Sequence, residues 1–250
     1  MTGMSRREVL VTGAGRGIGR AIALRFAEDG ARVFINFFVN REAAEKTARD
    51  VELRGGAAQL LQADLKEPRE IRQMFAEVGR ATDRLDVLVS NAASGVLKGA
   101  LELSPKQWDW VLNTNARPLL LCVQEALALM RVGGRVISLS SLGSNRVIPG
   151  YAAIGVSKAA LEGLTRYLAV ELAPRGIAVN AVAAGAVETD VWRAIPNGGT
   201  ALAEIRAKTP TGSLVSPEAV AEVVFFLASP VAQVIQGQVV IVDGGYSLLA

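Results

Sequence analysis

Short, uninterrupted apolar runs alternate along this chain with segments whose apolar residues recur three and four positions apart. The runs EVLVTG, RVFINFF, AAQLLQAD, LDVLVSNAAS, RVISLSS, IAVNAVAAG and QVVIVDGG read as strands. Helical patterns follow them at 17–30, 41–55, 67–80, 104–130, 152–172 and 217–228, the first two closed by Gly30 and Gly55. An interruption of the fourth is expected around Arg117-Pro118, because proline gives no N–H to the helix. Strands that are apolar at every position, rather than at every second one, belong to a parallel sheet covered on both faces. The right-handed crossover rule then predicts a doubly wound α/β sheet of seven strands. No repeat, linker or change of composition divides the 250 residues, so one domain spanning 1–250 is expected. The stretch 187–216 lacks clear periodicity and is expected to be a substrate-covering loop.

Composition narrows the chemistry. Half of the residues are hydrophobic and a fifth charged, the balance of a packed globule. No apolar run is long enough to cross a bilayer, and the charged N-terminus meets glycines too soon for a signal segment, so no membrane role is expected. The single cysteine, Cys122, lies in an apolar helical stretch and reads as a buried, inert thiol; a cytoplasmic location is expected. There is no histidine, which excludes a Ser-His-Asp triad, a His-ligated metal and a histidine base. A formal charge of +3 without a Lys/Arg block gives no support to nucleic-acid binding and leaves room for an acidic partner.

The first strand runs directly into TGAGRGIG, which opens the first helix. Gly13, Gly17 and Gly19, with Arg16 and Ile18 among them, form the turn on which a dinucleotide's pyrophosphate rests at a helix N-terminus. About 20 residues further on, an acid would bind the ribose 2′-hydroxyl of NAD. Here stand Asn36, Phe37, Phe38, Val39 and Asn40, then Arg41. With no carboxylate to repel a 2′-phosphate, and with Arg16 and Arg41 available, NADPH is favoured over NADH. The alternative is that both arginines are solvated surface charges. Asp64 and Leu65 end the third strand, Asn91 and Ala92 the fourth, and strand carboxyl ends are where ligands bind in such sheets. Asp64 reads either as an adenine acceptor or as a cap for the next helix.

These motifs together resemble the short-chain dehydrogenase/reductase family, whose fold is a Rossmann sheet. The likeness runs from TGAGRGIG through ADL, NAAS, LNTNA, SLSS, YAAIGVSK and VNAVAAGAVETD to VDGG. Ala93 and Ala184 depart mildly from the glycine and proline usual there. A larger departure lies in YAAIGVSK. Carbonyl-reducing members carry the catalytic Tyr four positions before the Lys, where this chain has Ile154; Tyr151 stands three residues earlier. A Tyr seven positions before the Lys is the interval of enoyl-thioester reductases, and the surrounding segments resemble the NADPH-dependent type III enoyl-[acyl-carrier-protein] reductases.

Geometry gives the interval a reason. In carbonyl reduction the carbon that takes the hydride is bonded to the oxygen that takes the proton. In enoyl reduction the charge appears on a thioester oxygen at the far end of the conjugated system. Three residues of helical rise set the phenol back by ~4.5 Å, about that displacement. The resemblance then implies that Tyr151 stabilises the developing enolate and that Lys158 holds the nicotinamide ribose. The Lys158 ammonium is expected to lower the phenol's pKa. Ser141 is expected to orient substrate or a water, and Asn115 to hold a helix distortion and a water chain near Lys158. Ordinary strand-end and helix-kink hydrogen bonding is the alternative for these two. Gly185, Val187 and Thr189 match the family's nicotinamide and pyrophosphate contacts. Val191, Trp192, Ala194, Ile195 and Leu202 are apolar groups that either cover an acyl chain or pack in the core.

The expected activity is NADPH-dependent reduction of a trans-2-enoyl thioester, on acyl carrier protein or coenzyme A, in fatty-acid elongation, by a homotetramer. A 3-oxoacyl-thioester or other carbonyl reductase is the first alternative, and a non-catalytic NADP-binding protein the second.

Overall fold

The computed structural model describes residues 6–189 and 198–249. Seven strands form one parallel sheet: β1 (Glu8–Val11), β2 (Arg32–Phe37), β3 (Ala57–Gln62), β4 (Val87–Ser90), β5 (Arg135–Ser141), β6 (Ala178–Ala184) and β7 (Val239–Val242). Their order is β3-β2-β1-β4-β5-β6-β7, so the winding reverses between β1 and β4 and opens a crevice at their carboxyl ends. The register pairs Val9 with Val33 on one side and with Val87 on the other.

Alternation along the strands supplies two cores. Val9 and Val11, with Val33, Ile35, Val87 and Val89, face α1 (Gly17–Ala27) and α8 (Pro217–Leu227). Leu10, Phe34, Leu88 and Val136 face the other way, onto α3 (Pro68–Ala81), α5 (Arg117–Ala126) and α6 (Ala152–Leu172). Strands buried on both faces are why the apolar runs in the sequence are continuous. α2 (Arg41–Leu53) starts where the Asn40 side chain accepts from the Ala43 N–H. α4 (Pro105–Asn115) starts at a Ser104–Gln107 capping box. The N-cap of α1, Arg16, makes no such bond, which leaves the first N–H groups of that helix without a side-chain acceptor.

The interruption expected around Arg117-Pro118 is a break at Ala116 (φ −99°, ψ −52°) between two helices, because Pro118 lies in the first turn of α5. One expectation changes. The stretch 187–216 is not wholly irregular: it contains α7 (Gly198–Lys208), and Val187 bridges to Val215. Two leading glycines and sparse apolar residues hide the period there, although Ala, Leu, Glu, Arg and Lys are good helix formers. Among the described residues, no helix is long and apolar enough to cross a membrane.

Candidate active site

The crevice at the switch point is a cleft of about 1340 Å³. Its floor is the glycine turn. Gly13 and Gly17 take left-handed φ values of 63° and 54°, which side-chain-bearing residues rarely adopt. Gly19 is needed for space: a Cβ there would stand 2.5 Å from Asn91 Nδ2 and from the Gly13 carbonyl. The turn is braced from both sides. The Asn36 carboxamide oxygen accepts from Gly13 N at 3.2 Å, and its Nδ2 donates to the Leu61 and Ala63 carbonyls. Thr12 Oγ1 accepts from the N–H groups of Asn91 and Ala92 at 2.8 and 3.0 Å, while Asn91 Nδ2 donates to the Thr12 and Gly13 carbonyls. Neither Thr12 nor Asn36 was singled out as a functional residue from the sequence. The signal for Asn36 was present, since a lone carboxamide in VFINFF needs a partner when the strand is buried.

Gly13, Arg16, Gly17, Ile18, Gly19, Asp64, Leu65, Asn91, Ala92, Thr189 and Leu202 all line the cleft. Thr189 lies beside Gly17. Asp64 does not cap α3, whose N-cap is Glu67; its carboxylate accepts from Lys66 N and pairs with the Lys66 ammonium at 3.0 Å. Arg41 is outside the lining. Its guanidinium lies over the Phe37 ring and donates to Gln62 at 3.0 Å, whereas Lys46, one turn further along α2, lines the cleft. Gly185 and Val187 also stand back from it. Gly185 packs on Asp243, where a Cβ would meet the Asp243 Cβ at 2.9 Å, and Val187 is buried beside Val215. Val191, Trp192, Ala194 and Ile195 lie outside the described residues.

Beyond the cleft, β5 ends at Ser141, and the chain returns through Gly150 (φ 72°) to Tyr151, the N-cap of α6. The Tyr151 carbonyl accepts from Gly155 N at 2.7 Å, so the helical register already holds at residue 151. Its ring lies on Gly143, where a Cβ would come within 2.6 Å of it. Burial raises the phenol's pKa, and a hydrogen bond with the Ser141 hydroxyl opposes that rise. The expected help from Lys158 is absent. The Lys158 Nζ donates instead to the Leu139 carbonyl at 2.6 Å, and burial pulls its pKa down to about 8 against the pull of Glu162. Ile154 occupies the intervening turn and packs against Gly95. Asn115, 1% exposed, ends α4 just before the break. It accepts from Ser94 N and donates to Ser157 Oγ, both at 2.9 Å, tying the cleft wall to the residue beside Lys158. Ser141, Tyr151, Lys158 and Asn115 thus cluster next to the cleft rather than in its lining.

The cleft fits a dinucleotide on its own geometry: two left-handed glycines, a third that admits no Cβ, and an uncapped helix N-terminus at the turn. No group of three or more potential metal ligands occurs among the described residues. Cys122 is buried and its pKa is pushed up to about 12, as suits an inert thiol.

Comparison with known proteins adds to this. The family model described as "Enoyl-(Acyl carrier protein) reductase" matches residues 13–247. The chain is 40% identical to 1-cyclohexenylcarbonyl-CoA reductase of Streptomyces collinus, over 98% of this chain and 89% of that one. It is 38% identical to versicolorin reductase 1 of Aspergillus parasiticus, over 94% of each. Among solved structures, a short-chain dehydrogenase from Burkholderia cenocepacia in complex with NADP superposes with a TM-score of 0.90 at 35% identity, covering 96% of this chain and 98% of that one. Glycine turn, sheet order and matched length agree: the chain belongs to the short-chain dehydrogenase/reductase family.

Proposed function

We propose that this protein is an NADPH-dependent reductase that saturates the carbon–carbon double bond of a 2-enoyl thioester. One observation supports this above others. The phenol bonded to Ser141 sits at the entrance of α6, and the next turn toward Lys158 presents Ile154, which has no proton to give. A donor set back in this way suits an oxygen remote from the carbon being reduced.

The cleft residues Arg16, Gly17, Asp64 and Thr189 would hold NADPH, which supplies the hydride when bound. Tyr151 donates a hydrogen bond to the thioester oxygen where negative charge develops, the largest catalytic effect expected of an oriented donor. Ser141 keeps that hydroxyl aimed. Lys158 contributes positive charge beside the ribose, and Asn115 fixes the start of α6 through Ser157. Leu202, which lines the cleft, covers the acyl group. The Streptomyces relative's name supports a conjugated CoA thioester; acyl carrier protein, with a straight fatty-acyl chain as in elongation, is the second carrier to test. A homotetramer is also proposed, because β7 is the sheet edge and Ile241, Leu248 and Leu249 are exposed on and beyond it.

The test is a pair of assays with NADPH and with NADH. Crotonyl- and cyclohexenylcarbonyl-CoA should be reduced, fastest with NADPH, and acetoacetyl-CoA left alone. Turnover of the ketone without turnover of the enoyl esters overturns the proposal in favour of a carbonyl reductase.

A further inference from the structure

Glu162 is a buried carboxylate to which the reaction assigns no part. It is 9% exposed, lies one helical turn beyond Lys158 on α6, and accepts a 2.5 Å hydrogen bond from Ser140 Oγ. Ser140 stands between Leu139, whose carbonyl takes the Lys158 ammonium, and Ser141, which bonds Tyr151. A buried charge is costly unless it is paired. Lys158 and Glu162 make no direct ion pair, yet both are buried one turn apart on α6, and their side chains are held by successive residues of β5, where charges act beyond contact distance.

We propose that Glu162, anchored by Ser140, is a positioning residue that serves as counter-ion to the buried Lys158 and keeps its ammonium charged and aimed from β5. The inference rests on Tyr151 and Lys158 being the reacting pair. Other charged groups on the elements packed against α6 are engaged elsewhere. Arg135 on β5 donates to the Gly133 and Gly134 carbonyls, and Arg117 on α5 to the Lys66 carbonyl. Glu125 acts on Cys122, Lys106 and Asp109 of α4 are exposed, and β6 carries no charge. Arg146, in the turn before Tyr151, is bonded to the Ser247 carbonyl. Burial lowers the Lys158 pKa and Glu162 opposes that, so removing the carboxylate lets the proton leave at lower pH.

The experiment measures kcat, KM and the NADPH dissociation constant from pH 6 to 9.5 for the wild type, Glu162→Gln, Glu162→Asp and Ser140→Ala. In Glu162→Gln the alkaline limb should move down by about one unit, a loss of about fivefold at pH 8 and almost none at pH 6. Glu162→Asp should keep the limb near its wild-type place. An equal loss at every pH, or none, overturns the proposal and assigns Glu162 to packing alone. If Glu162→Gln does not fold, Ser140→Ala decides: it releases the carboxylate from its anchor, so the alkaline limb must move, and an unmoved limb overturns the proposal. Failure of the catalytic reading is distinct, since Lys158→Ala would then leave turnover intact.

Discussion

The glycine turn and the Tyr–Lys corner adjoin one cleft but are built from opposite materials. The turn is held by backbone and neutral polar groups: Gly13, Thr12, Asn36 and Asn91 exchange hydrogen bonds across β1, β2 and β4, and function depends on side chains that are absent. The corner is held by ionisable groups that burial pushes toward neutrality, with Ser141 and Glu162 pulling against it. Steric sites fail all at once. Electrostatic sites fail by degrees and with pH.

The largest effect expected from that contrast is at Gly19. In Gly19→Val the branched side chain must displace Asn91 or the Gly13 carbonyl, and NADPH binding should disappear by isothermal calorimetry at every pH. Retained binding would mean that the turn is softer than its packing implies. Tyr151→Phe comes next: kcat should drop about 10²–10³-fold, the range for losing one oriented donor at developing charge. NADPH affinity should hardly move, and steady-state kinetics beside fluorescence titration separate the two.

Asn36→Leu removes the brace beside the glycine turn. It leaves the half-buried Gly13 N–H without its acceptor, and urea unfolding should show a loss of about 1 kcal/mol. A mutant as stable as the wild type would show that the turn holds itself. The smallest effect separates two arginines. Arg16→Ala should weaken NADPH binding relative to NADH about tenfold, roughly 1.4 kcal/mol for one lost charge-assisted contact. Arg41→Ala should change that ratio less than about twofold, because its guanidinium is already engaged by Phe37 and Gln62. Equal effects would show that Arg41 turns toward the nucleotide.

Much of the site was legible before any coordinates. Gly13, Gly17 and Gly19 follow a strand and open a helix, and that local order suffices to mark a nucleotide turn. Tyr151 at a helix entrance followed from Gly150, and the α4–α5 break from Pro118. The residues that escaped notice, Thr12 and Asn36, act through partners more than twenty positions away, at Asn91 and Gly13. Arg41 and Gly185 stand outside the cleft lining for the same reason. Each sits beside the expected motif in the chain, yet one turns to Gln62 and the other packs on Asp243.

By itself the sequence determined the doubly wound sheet, the cofactor turn and the seven-position interval between phenol and ammonium, because each is a pattern within a few turns of chain. Only the tertiary structure decided which cations face the cleft, what braces the glycines, and that Lys158 answers to the Leu139 carbonyl and Glu162 rather than to the phenol. Those outcomes depend on distances across the sheet and on burial, and neither is a property of neighbouring residues.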